Sequence, residues 1–267
     1  MSSRGWFRRI VSPSQVATVT ICRVLSVALL FAPVTLGQDG SPEVLVRSGP
    51  PETFAHALKR HHVPLTRSAL VAALQNSDPE VRGLAAAQLA EEKATDAVSA
   101  IAKALATERV PLTRVNIAFA LAQLGNKTGV KALESACHES ETVAGVRMTA
   151  AIYMVNFLHT NACFADVLDV LDSHDDDQTG NRMQALSLAP SFKGLSEDES
   201  QRLLAATINN LRDTTASVRI VASDALVRLG DASAVPQLQE AVTVEQDEVV
   251  RNALEDALQR LLQQQHH

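Results

Sequence analysis

One arginine returns along this chain at intervals of 32, 33, 35, 37 and 32 residues, as Arg82, Arg114, Arg147, Arg182, Arg219 and Arg251. Six residues before each stands Asn76, Glu108, Glu141, Asp176, Asp213 or Glu245, so five of the six carry a carboxylate. Three residues after each stands an apolar side chain: Ala85, Ile117, Ala150, Ala185, Ala222 or Leu254. The stretches that begin at Val81 and Val218 align without a gap, and the stretch from Thr113 keeps their register. A period of roughly 30 to 40 residues with helical content implies stacked helix pairs, because one unit alone cannot bury its apolar face. The expected fold is all-α, a right-handed α-solenoid of about six helix pairs.

Turn and cap signals divide the chain further. Glu52 to His62 reads as a single amphipathic helix closing the open end of the stack, ended by Pro64. The first pair follows as 66–75 and 79–91, with Asp78 as N-cap and Pro79 at the first helical position. Later pairs are expected at 96–107 with 112–124, 129–138 with 143–158, 162–171 with 179–189, 197–211 with 216–229, and 234–242 with 247–263. Residues 52–263 thus form the array. Residues 38–51, with Gly40, Pro42, Gly49 and two adjacent prolines, read as a linker, and 264–267 as a polar tail.

The acid falls in the turn between paired helices and the arginine in the first turn of the second helix. The two are placed to hydrogen-bond around the connection and to alternate with neighbouring repeats. Glu108, Glu141, Asp176, Asp213 and Glu245 then form a structural ladder with Arg82, Arg114, Arg147, Arg182, Arg219 and Arg251, in which one planar guanidinium serves two acceptors. On Arg147 the expectation is that its loss loosens two interfaces. Val81-Arg82 with Ala85, Ala86 and Leu89, and Val218-Arg219 with Ala222, Ala225, Leu226 and Gly230, resemble HEAT repeats. They are more closely similar to the bacterial type named after phycobilisome lyases. The resemblance covers about 52–263, and the chain departs from the pattern at Asn76, Gln88, Thr113 and Asn181.

In arrays of that kind the second helices line the concave face, and the resemblance implies the same here. Positions three, six, seven and ten after each arginine share one helical side and form the core. Positions one and five face the other way, and in the middle repeats they include Val115, Phe119, Met148, Ile152 and Met183. Two readings of this stripe stay open: a groove for a protein or peptide partner, or burial against adjacent second helices.

Charge narrows the partners. The whole chain carries 24 basic and 30 acidic residues, net −6, and residues 1–37 hold four of the arginines and no acid. The remainder is more acidic still and shows no basic cluster, which disfavours nucleic acid. Residues 1–37 read as a secretory signal peptide, with Arg4, Arg8, Arg9 and Arg23 ahead of the apolar run Val24 to Leu36. That run is shorter than the roughly 20 residues of a spanning helix. A membrane is implied only if the segment stays uncleaved. The mature protein is expected in the periplasm, the cell envelope or outside the cell, with Cys137 and Cys163 as two buried thiols at opposite ends of a parallel stack.

Chemistry is sparse. His56, His61 and His62 do not share a helical face, and Asp172, His174, Asp175, Asp176 and Asp177 lack the alternation and glycine of a calcium loop. No zinc-protease HExxH, nucleophile elbow or phosphate loop occurs. The reading is a non-enzymatic protein-interaction scaffold with no catalytic, cofactor or metal site. The alternative is a lyase-like or chaperone protein for a chromophore or tetrapyrrole, implied only by the resemblance.

Overall fold

The computed structural model describes residues 53–139, 143–173 and 175–265. The described residues from Phe54 onward form one compact unit. The signal peptide, the linker and the end of the polar tail therefore lie outside the described residues, and the fold is that of this unit.

This unit is an all-α solenoid. The short helix α1 (Phe54–Arg60) packs on α3, ahead of six pairs. These are α2 (Arg67–Ala73) with α3 (Pro79–Glu91), α4 (Val98–Thr107) with α5 (Pro111–Gln123), and α6 (Lys127–His138) with α7 (Ala144–Ile152). They continue as α8 (Phe164–Asp172) with α9 (Thr179–Leu188), α10 (Glu197–Asn209) with α11 (Ala216–Leu229), and α12 (Val235–Val244) with α13 (Glu248–Gln264). Local chemistry sets these boundaries. Asp78 accepts from the Glu80 amide and Asn126 from that of Thr128, Ser196 and Glu199 form a capping box on α10, and Asp247 accepts from Val249 and Val250. Gly230, at φ 73°, ends α11 in the left-handed conformation that favours glycine.

Second helices α3, α5, α7, α9, α11 and α13 each touch the next, forming one continuous layer. The residue three after each repeating arginine lies between that layer and its own first helix, and all six are fully buried. One approach is unusually close. A Cβ added at Gly129 would stand 2.5 Å from the Ala118 carbonyl oxygen and 2.6 Å from the Ala122 nitrogen, so glycine lets α6 lie directly on the backbone of α5.

The stack is regular at its ends and altered in the middle. After Ile152 the helix continues as a π-helical segment, Tyr153–Phe157, and the connector that follows holds His159 at φ 54°. Cys163, immediately before α8, lies 5.7 Å Cα to Cα from Cys137 near the end of α6, and the two form a disulfide. His138 Nδ1 stands 2.8 Å from Asp166 Oδ2 at the same place. The expectation of two separate thiols is corrected accordingly, because it assumed that α6 and α8 start level.

Candidate functional site

Two arginines of the row make the same double attachment, and a third makes a related one. Arg82 donates Nη1 back to the carbonyls of Asn76 and Ser77 in its own turn, and Nε and Nη2 forward to both carboxylate oxygens of Glu108, at 2.6 and 2.8 Å. Arg219 repeats this with the Asp213 and Thr214 carbonyls and with Glu245, at 2.7 and 3.1 Å. Arg182 holds the carbonyls of Ser173 and Asp175, and its Nε lies 3.0 Å from Asp213. Each guanidinium thus ties one turn to the next.

The acids have a second task. Glu108 Oε1 accepts from the Arg109 and Val110 amides, Glu245 Oε1 from those of Gln246 and Asp247, and Asp213 Oδ1 from that of Thr215. In all three cases the acid also receives an arginine from the preceding pair. At the start of the row Asn76 performs the turn function alone, with its Oδ1 accepting from the Asp78 amide. At the other end Arg251 bonds, among the described residues, the carbonyls of Glu245 and Gln246. The Arg82 hydrogen bonds hold the Glu108 carboxyl below the usual carboxylate range, and those of Arg219 do the same for Glu245.

Among the described residues Arg114 and Arg147 make no ion pair, and the Nε atoms of Arg147 and Arg182 alike are buried without a hydrogen-bond partner. Glu141 lies outside the described residues, as does the side chain of Asp176.

The proposed concave stripe is not a continuous solvent-facing surface. Val115, Phe119 and Met148 are only 2%, 4% and 1% exposed, while Ile152 and Met183 are half-buried. The cause is contact between successive second helices. Phe119 on α5 stacks on Tyr153 with ring centroids 3.9 Å apart, and Phe157 meets Phe119 edge-on at 5.1 Å. The Tyr153 hydroxyl donates to Asn116 Oδ1 at 2.9 Å, and burial raises its pKa. Val115, Phe119 and Met148 belong to the core, and the aromatic cluster was missed because Tyr153 and Phe157 fall at core positions of the template.

Exposed large apolar side chains lie elsewhere. Among the described residues they are Val110, Leu112, Val143, Val244 and Val249, all in or beside the turns joining a first helix to a second. Next to the first three lies an open recess of about 280 Å³, whose lining includes Pro111, Arg114, Val115, Ser135 and Val146. Arg109 and Glu108 stand at it as well, and so does Glu139. Glu108 is already committed to Arg82, whereas the Arg109 and Arg114 side chains are exposed. Apolar residues in turns, where polar ones are usual, were the available sequence signal for this surface. His61 pairs loosely with Asp78 and Glu80, 3.7 and 3.9 Å away. No group of metal-ligating side chains occurs among the described residues.

Comparison with known proteins accords with the repeat geometry. A family model for HEAT repeats matches residues 67–155, and one for the PBS lyase HEAT-like repeat matches residues 218–243. No curated protein matches the chain. Among solved structures, the complex of CpcE and CpcF of phycocyanin lyase from Nostoc sp. PCC7120 is 18% identical. That match covers 83% of this chain and 99% of that one at a TM-score of 0.34, too loose a likeness to bear on function.

Proposed function

Because the chain is a HEAT-like repeat protein, we propose that it is an exported, non-enzymatic scaffold that holds a protein partner along the edge formed by its turns. The observation that carries this reading is that, among the described residues, the exposed large apolar side chains are confined to that edge, beside the arginine row. Val110 and Leu112 in the second pair and Val143 in the third flank the residues that line the recess, and together they offer anchors to an apolar side chain. Arg109 and Arg114 add two exposed guanidinium groups, so the segment that fits is apolar with a neighbouring carboxylate. Export is supported by the amino-terminal pattern and by the Cys137–Cys163 disulfide, since such bonds persist in oxidising compartments.

The test is a crosslinking capture from the native envelope fraction. It compares the parent chain with a Leu112→Asp, Val143→Asp variant and, as control, Val244→Asp, Val249→Asp. One stoichiometric polypeptide held by the parent and the control but lost by the first variant is the expected result. Identical capture by all three overturns the assignment of the surface. A visible absorption band that copurifies with the chain in place of a polypeptide would favour the chromophore-handling alternative.

A further inference from the structure

We draw no further inference here: the strongest candidate, the open recess on the turn edge between the second and third helix pairs, beside the exposed Val110, Leu112 and Val143, belongs to the site already described.

Discussion

At the scale of single residues, a side chain in the row is costly or dispensable according to what it leaves behind. Arg182 and Asp213 have side chains only 1% and 3% exposed, so removing the guanidinium strands a buried carboxylate. Arg182→Met should lower the unfolding free energy by roughly 3–5 kcal/mol. Arg212→Met, which breaks an ion pair with Glu240 between exposed side chains, should change it by about 0–1 kcal/mol. Urea titrations of the two variants check this, and equal midpoints would refute the role given to Arg182. The row also makes stability depend on acidity. Arg82 and Arg219 depress the folded pKa values of Glu108 and Glu245, so their contribution is complete above the unfolded glutamate value of roughly 4.3. It is lost as pH falls through the lower folded values. A Glu108→Gln, Glu245→Gln protein should start less stable at pH 7 and lose less than the parent between neutral pH and the acid limb.

At the scale of elements, contact between helices overrides intrinsic preference. Alanine is normally worth up to about 1 kcal/mol over glycine inside a helix. At Gly129 the sign reverses, because the added methyl would meet the backbone of α5, which cannot swing aside as a side chain can. Gly129→Ala should therefore destabilise by about 1–3 kcal/mol, measured by thermal or urea unfolding. A stabilised variant would show that α6 moves off α5 at little cost. The middle second helix shows the same priority differently. Positions +1 and +5 after Arg114 and Arg147 point away from the first helices, yet Val115, Phe119 and Met148 are buried because neighbouring second helices close over them. Periodicity on one helix identifies its faces, but only the neighbouring helix decides which faces meet water.

At the scale of the whole molecule, each pair depends chiefly on the next, which makes the array a chain of junctions. Arg82 and Arg219 act at junctions with three helix pairs between their own. The effects of Arg82→Gln and Arg219→Gln should therefore add within about 0.5 kcal/mol in a double-mutant cycle. A larger coupling energy would mean that the row works as one long network.

The repeat was legible because every pair faces the same packing problem and reuses the same residues to solve it. The spacing of Arg82, Arg219 and their companions, the apolar residue three positions on, and the cap at Asp78 are local solutions, and local solutions are written in consecutive residues. Even the exception at Asn76 belongs to this class, since its side chain serves its own turn by accepting from the Asp78 amide two residues on. The direction in which each arginine reaches, the burial of Phe119 under Tyr153 and the meeting of Cys137 with Cys163 depended on how far one pair is displaced against the next. That displacement is set by side-chain volume and helix winding across an interface, so only the tertiary structure decided it.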